Sequence, residues 1–282
     1  MNKLIIHKSP QEYLDLNRSF LMENELAVNL TLGIPLGLDN KNIENPEYSF
    51  VSVIDSNNNP VAVSVNISPR MMISGIQNSE EAIKLIADYF NSSDFPVSSI
   101  IGEKGIPEIF TSYFKGKKKW GRDLIVHTLT KTTDLKFTNG NFETATLNDL
   151  NTLSKFRYDF DVETFGSCRS NETELFKEIE NSIRVKSLFV WKVNDEIVSM
   201  AKIMRNTDNI TIIGRVFTPK EFRGKGYGTS IVHSLSNEIL SRGLPVCALF
   251  TDKLNHTSEK IYSNVGYRPA MEFTDVYFII DN

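Results

Sequence analysis

The stretch Ile210-Thr211-Ile212-Ile213-Gly214-Arg215-Val216-Phe217-Thr218-Pro219-Lys220-Glu221-Phe222-Arg223-Gly224-Lys225-Gly226-Tyr227-Gly228-Thr229-Ser230 is the most informative part of this chain. The β-branched run Ile210–Ile213 predicts a strand that continues to Thr218-Pro219. Beyond it, Ile231, Val232, Leu235 and Ile239 recur at helical spacing. Between strand and helix lie three glycines in five residues, beside Arg223 and Lys225. Glycine enters backbone conformations that other residues resist, and it leaves room for close ligand approach. Consecutive N–H groups at a helix start make an anion site. Strand, loop and helix together predict a cradle for a pyrophosphate.

The order of residues excludes two familiar nucleotide loops. A P-loop needs Gly, four residues, then Gly-Lys-Ser/Thr, and that order is absent here. A dinucleotide fingerprint needs a third glycine where this chain has Thr229, and the loop does not open a βαβ unit at the start of a parallel sheet.

Outward from the loop, the chain reads as two similar halves. Leu188–Val193, Asn194-Asp195 and Ile197–Ile203 form a strand, turn and strand, as do Phe50–Ile54, Asp55–Asn59 and Val61–Val65. Ser9-Pro10-Gln11-Glu12 is a capping box with proline at the first helical position, and Thr146-Leu147-Asn148-Asp149 repeats it with aspartate for glutamate. The amphipathic stretch Glu80–Phe90 matches the helix after the glycine loop. Val97–Ile101 matches Val246–Phe250, and Ile106–Phe114 matches Ser258–Val265. These correspondences in register argue for an internal duplication. The halves are expected to be 1–138 and 142–282, meeting at the turn-rich Asn139-Gly140-Asn141.

The loop resembles the coenzyme A loop of the GNAT acyltransferase superfamily, in which Arg-x-x-Gly-x-Gly opens a helix after a Val-x-x-Pro strand end. Asn255-His256-Thr257-Ser258, Tyr262 and Gly266-Tyr267-Arg268-Pro269 are similar to the family's closing segment. The resemblance runs from about Phe142 to the C-terminus. The whole chain looks like a bacterial subgroup with a degenerate N-terminal half and an active C-terminal domain. It implies an α/β (α+β) class: a tandem GNAT-like fold with mixed central sheets flanked by helices. It also implies an acyltransferase that moves an acetyl group directly from acetyl-CoA to a primary amine of a small molecule or peptide, with no metal.

By that resemblance, the backbone of Val216, Phe217 and Thr218 pairs with the pantetheine arm. The amides of Gly224, Lys225, Gly226, Tyr227, Gly228 and Thr229 take the pyrophosphate. Arg223 either contacts the cofactor or bridges structurally. Asn255, with Ser258 in the same segment, reads either as a cofactor contact or as a helix cap. Tyr262 is the candidate general acid, since a phenol of ordinary pKa near 10 is protonated at neutral pH; packing is the other reading. Many family members carry a glutamate on the strand before the loop, but Thr211–Gly214 has no carboxylate. The proton acceptor is therefore water or one of Asp159, Asp161 and Glu163, which lie where the family places a substrate-side loop. A solvated acidic turn is the plainer reading of those three. If they face the pocket, they favour a cationic amine.

In the first half, Met71–Ile76 runs straight into Gln77-Asn78-Ser79-Glu80, with no glycine loop and two adjacent glutamates that would repel a phosphate. One cofactor site per chain is expected, with the first half shaping the cleft or supporting the second. A non-catalytic acyl-CoA-binding or interaction module is the competing reading.

Composition limits the rest. A chain of 282 residues with 40% hydrophobic and 23% charged residues can build ordinary cores. Its net charge of -4 argues against a general nucleic-acid binder. The basic run Lys115–Lys119 reads as a solvated turn late in the first half. Cys168, without a histidine partner, is not expected to be a nucleophile, and two cysteines with four histidines show no metal-ligand spacing. No stretch suits a signal peptide or a membrane helix, so a cytoplasmic monomer or homodimer is expected.

Overall fold

Ser9 caps the first helix as its sequence demands: its hydroxyl accepts from the Glu12 N–H at 3.1 Å, while Glu12 accepts from the Lys8 N–H at 2.9 Å. The structure, a computed structural model, describes residues 1–38, 47–135, 138–168 and 170–279. The first half runs β1 (Lys3–His7), α1 (Pro10–Glu23), α2 (Asn29–Gly37), β2 (Tyr48–Ile54), β3 (Pro60–Ile67), β4 (Arg70–Gly75), α3 (Glu80–Ser92), β5 (Ser99–Glu103), α4 (Ile106–Tyr113) and β6 (Lys118–Leu129). The second half repeats that order as β7 (Asn141–Thr144), α5 (Leu150–Phe165), α6 (Glu172–Arg184), β8 (Leu188–Val193), β9 (Glu196–Asn206), β10 (Ile210–Phe217), α7 (Tyr227–Ser241), β11 (Val246–Asp252), α8 (His256–Val265) and β12 (Arg268–Phe278).

Every strand joins one mixed sheet of order β1-β2-β3-β4-β5-β12-β6-β11-β10-β9-β8-β7. The order is symmetric about the β12–β6 pair. Each half sends its last strand into the other: β12 pairs antiparallel with β5, and β6 pairs antiparallel with β11. The exchanged strands pair with each other from Arg268–Thr128 to Phe278–Lys118. This interleaving was not legible in the repeat, because a duplicated pattern says nothing about which copy a closing strand joins.

Alternation along the strands separates the two faces. On β11, Cys247 and Leu249 point into the core under α7 and α8, while Ala248 between them joins the core under α1 and α2. α5 and α6 pack over Leu188, Val190 and Met200 on the same face as α1 and α2. α3 and α4 cover Ile73, Ile100 and Val276 on the other face, with α7 and α8. The core of α1 and α2 reaches across the exchange to take Ile212 and Ala248 from the second half. Burying the Ile212 side chain there contributes about 1.5–3 kcal/mol.

Two expectations need correction. Asp159, Asp161 and Glu163 lie on the helix α5, not on a loop or turn. Lys155 sits one turn before Asp159, and Arg157 one turn before Asp161, so helix geometry satisfies both carboxylates. In the basic run, Lys118 and Lys119 open β6 instead of ending a turn, because the exchange draws this segment into the middle of the sheet.

Candidate functional site

α7 begins where the backbone demands glycine. Its cap, Gly226, is left-handed at φ +83°, and Gly224 is left-handed at φ +78°. A glycine cap has no side chain to accept from the first-turn N–H groups, so those donors face outward, where an anion would be stabilised. A Cβ at Gly226 would meet Thr138 Cγ2 at 2.8 Å, so this corner is closely packed. Gly228 is buried, and its Cβ would lie 3.4 Å from the Thr218 hydroxyl. The donor set suits a phosphate group.

Immediately upstream the sheet opens. β10 and β11 run parallel and pair from Ile210–Val246 to Ile213–Leu249, and beyond Ile213 β10 pairs only with β9. At that point β10 bulges: Arg215 and Val216 stand opposite the single residue Ala201 between the Gly214–Lys202 and Phe217–Met200 partners. Arg215 is left-handed at φ +52°, which costs a non-glycine residue about 1 kcal/mol. Its side chain is anchored on the helices: the guanidinium lies 3.5 Å from Asp161 and 3.4 Å from Glu178, over the Phe160 ring. Ser199 Oγ donates to the Phe217 carbonyl at 3.1 Å and meets the Thr218 hydroxyl at 2.9 Å, which fixes the end of the strand.

A cavity of about 580 Å³ sits at this opening, on the face that carries α2 and α5. The second half gives it Ile212, Gly214 and Arg215 from β10, Phe250 from β11 and Phe160 from α5. The first half gives it Leu30, Arg70, Ile101, Lys119, Trp120 and Arg122. Trp120 stacks flat on Tyr277 with ring centroids 4.1 Å apart, so the exchanged strands build one wall together.

Charge in this cavity is arranged in two networks. Asp161 and Glu178 hold Arg157 and Arg215, with Lys202 beside Glu178 at 3.8 Å. Burial would raise the Glu178 carboxyl, but Arg215, Arg157 and Lys202 outweigh it and hold it below the usual range. Burial pulls Lys202 down. Burial also opposes the Arg157 charge, yet Asp161 and Glu178 leave its pKa raised. In the other network Asp275, fully buried, accepts from Arg70 and Arg122, each at 3.1 Å.

The expected cofactor residues gather along one edge. Val216, Phe217 and Thr218 lie past the strand opening, and Gly224, Lys225, Gly226, Tyr227, Gly228 and Thr229 wrap the start of α7. Arg223 is held structurally: Nε donates to the Thr218 carbonyl at 2.8 Å, and Nη2 pairs with Glu163 at 2.6 Å. The Lys225 ammonium lies 5.7 Å from the Phe222 ring centroid. Asn255 caps α8, its side-chain oxygen accepting from the Ser258 N–H at 3.0 Å. Tyr262 is buried beside Tyr267, and burial, partly offset by a hydrogen bond with Ser258, pushes its phenol up to about 12.

Of the three acidic residues, only Asp161 lines the cavity. Asp159 is taken by Lys155 at 2.5 Å and Glu163 by Arg223. Sequence reasoning missed the bulge and the arginines. A glycine inside the β10 pattern was a usable signal for the bulge. The arginines come from five separate elements and had none.

Residues 192–277 match a family model described as FR47-like protein. A comparison of the sequence with curated proteins gives no match. Among solved structures, the chain is similar to an acetyltransferase from the GNAT family from Colwellia psychrerythraea, with 16% identity, a TM-score of 0.61, and coverage of 98% of this chain and 100% of that one. A GCN5-related N-acetyltransferase from Sphaerobacter thermophilus gives 14% identity and a TM-score of 0.65 over 99% of this chain and 98% of its own. A tandem GNAT protein from the clavulanic acid biosynthesis pathway gives 9% identity and a TM-score of 0.56, with both chains covered fully at 100%. At these identities the likeness is one of fold. Among the described residues no helix is long and apolar enough to cross a membrane, and no group of His, Cys, Asp and Glu could hold a metal.

Proposed function

We propose that this chain, which has the GNAT superfamily fold in tandem and an FR47-like segment in its second half, is an N-acetyltransferase that transfers an acetyl group directly from acetyl-CoA to a primary amine. One observation carries the reading. A strand that parts from its parallel neighbour runs through a bulge into a glycine-capped helix, so an open strand edge and a turn of first-turn amides are contiguous, which is the arrangement an acyl-CoA requires. Acetyl-CoA supplies the activated acyl group. The backbone of Val216, Phe217 and Thr218 positions the pantetheine arm, and the amides from Gly224 to Thr229 hold the pyrophosphate. N–H groups at the bulge polarise the thioester carbonyl. The amine forms the new C–N bond as the C–S bond breaks. Tyr262 protonates the departing thiolate, and water takes the proton lost by the amine. Holding both reactants in one cleft removes much of the entropic barrier.

Asp161 is a poor base in this scheme, because Arg157 and Arg215 both draw on it. That pairing favours a second reading, a module that binds acyl-CoA without turnover. Thermal shift with coenzyme A and acetyl-CoA, followed by thiol release over a panel of amines, separates the two. Stabilisation with thiol release supports the enzyme. Stabilisation without release supports the module. No stabilisation by either ligand sinks both.

A further inference from the structure

The cavity beside the bulge contains more positive charge than its own carboxylates balance. Among the described residues, six cations line it (Arg70, Lys119, Arg122, Arg157, Arg205 and Arg215) against one carboxylate, Asp161. Glu178, Asp252 and Asp275 reach those cations from behind the wall. Two of the six make none of these ion pairs. This concentration occurs in a chain whose net charge is -4, so it is not the overflow of a basic protein.

The unmatched pair can be identified. Lys119 makes no ion pair among the described residues, and neither does Arg205. Arg205 is the informative one. It projects from β9, its Nε donates to the carbonyl and the side-chain oxygen of Asn29 at 3.2 Å each, its Nη2 also donates to that side-chain oxygen, which leaves Nη1 and the outer Nη2 hydrogen uncommitted to Asn29, and its guanidinium lies 5.5 Å from the Phe250 ring centroid. Those contacts with α2 and β11 orient the guanidinium plane without neutralising it. Burial and the neighbouring Arg70 charge oppose the cation, and no carboxylate among the described residues pairs with it. A partly buried guanidinium that is positioned but not paired is suited to a planar anion, which it can meet through two parallel N–H bonds.

From the cavity and its two unpaired cations we propose that the acceptor site takes a primary amine that also carries an anionic group, a carboxylate or a phosphate, with Arg205 as its anchor and Lys119 at the rim. The proposal rests on the acetyltransferase reading for the amine and on the cavity alone for the anion. It reverses the expectation from Asp159, Asp161 and Glu163, which are paired with cations of their own and leave no negative field for a polyamine. The volume suits a small molecule or a chain terminus.

Two experiments test the proposal. In the first, thiol release from acetyl-CoA is followed with the full chain on matched amines: amino acids and their amides, phosphoethanolamine and ethanolamine, and a polyamine. The anionic member of each pair should show kcat/KM about 10-fold or more above its uncharged partner. The amino-acid and phospho-amine arms distinguish carboxylate from phosphate. Arg205→Met should raise KM for anionic amines at least 10-fold, with little change in kcat or in stabilisation by coenzyme A. Equal use of charged and uncharged amines, or a polyamine as the best acceptor, overturns the proposal. A fall in Arg205→Met that is the same for every amine assigns the arginine to structure alone and also overturns it.

The second experiment does not need turnover. With coenzyme A at saturation, so that the glycine turn is already occupied, N-acetylglycine and inorganic phosphate are tested for thermal stabilisation of wild type and Arg205→Met. Stabilisation of wild type that the variant loses supports the anion site even if no amine is acetylated. No stabilisation by either anion, or equal stabilisation of both proteins, overturns it. If Arg205→Met does not fold, Lys119→Gln, an exposed position, serves instead: it should weaken anionic acceptors about 3-fold and leave uncharged ones unchanged, and no difference overturns the proposal.

Discussion

Asp275 and Arg70 are 205 residues apart in sequence and form an ion pair at 3.1 Å across the exchanged strands, with the carboxylate fully buried. Arg122 takes the other oxygen at 3.1 Å, and the Tyr277 hydroxyl donates to the same oxygen at 2.9 Å. One carboxylate thus joins β4 to the two exchanged strands, β6 and β12. Asp275→Asn leaves two arginines facing a neutral group, and breaking a buried pair from one side costs roughly 3–5 kcal/mol. Urea unfolding should show a loss in that range in a single transition. A loss under 1 kcal/mol would mean that the pair contributes little to the interlock.

A charge placed in the glycine turn should act on the cofactor rather than on the fold. A Cβ at Gly224 meets nothing within 4 Å, so Gly224→Glu carries only the backbone cost of its left-handed φ, about 1 kcal/mol. Gly226→Glu would add a clash with Thr138, which makes it the less clean test. Gly224→Glu should keep its circular dichroism spectrum and lose coenzyme A affinity by at least ~10-fold, or about 1.4 kcal/mol. Wild-type affinity by calorimetry would refute the assignment of the loop.

Tyr262→Phe should lower kcat by about 10²-fold and leave the acetyl-CoA dissociation constant nearly unchanged. Because its phenol is raised to about 12, the acid form is present throughout the working range. The rate should therefore rise with pH as the amine deprotonates and then level off, with no alkaline limb from this residue below about pH 11. An unchanged kcat in the variant would return Tyr262 to a packing role.

Stability should fall as the solution is acidified below neutrality. Burial lowers the His7 imidazole from 6.5, partly opposed by Glu12, and its Nε2 pairs with Ser52 Oγ at 2.8 Å. Burial likewise lowers His127. The unfolded chain therefore binds more protons than the native one below pH 6.5, so the contribution of these groups is complete above that value and is lost as pH falls through the lowered native values. Denaturation midpoints at pH 7.5 and 5.5 should differ, and His7→Gln should shrink that difference. A slope unaltered by His7→Gln would show that other groups control acid sensitivity.

Much of this protein was legible before any coordinates. The capping boxes, the two hairpins and the strand–glycine loop–helix unit are local features, fixed by periods of two and 3.6 and by turn chemistry within about twenty residues. They located the turn at Gly224–Gly228 and the repeated halves. Their reach ended where partners lie far apart in the chain. No local pattern says that β6 and β12 change places, because each strand has the same alternation whichever sheet edge it joins. No spacing brings Arg70, Arg122, Arg157, Arg205 and Arg215 to one cavity, since they stand on five elements drawn from both halves. Asp159, Asp161 and Glu163 show the same limit from the other side: their sequence offered a negative pocket, and the helix and its neighbours supplied a cation to each. The glycine turn at the start of α7 was readable in advance, because backbone conformation and turn chemistry are local. The tertiary structure decided the sign of the cavity beside the bulge, because charge in a cavity is a sum over residues that only folding brings within reach.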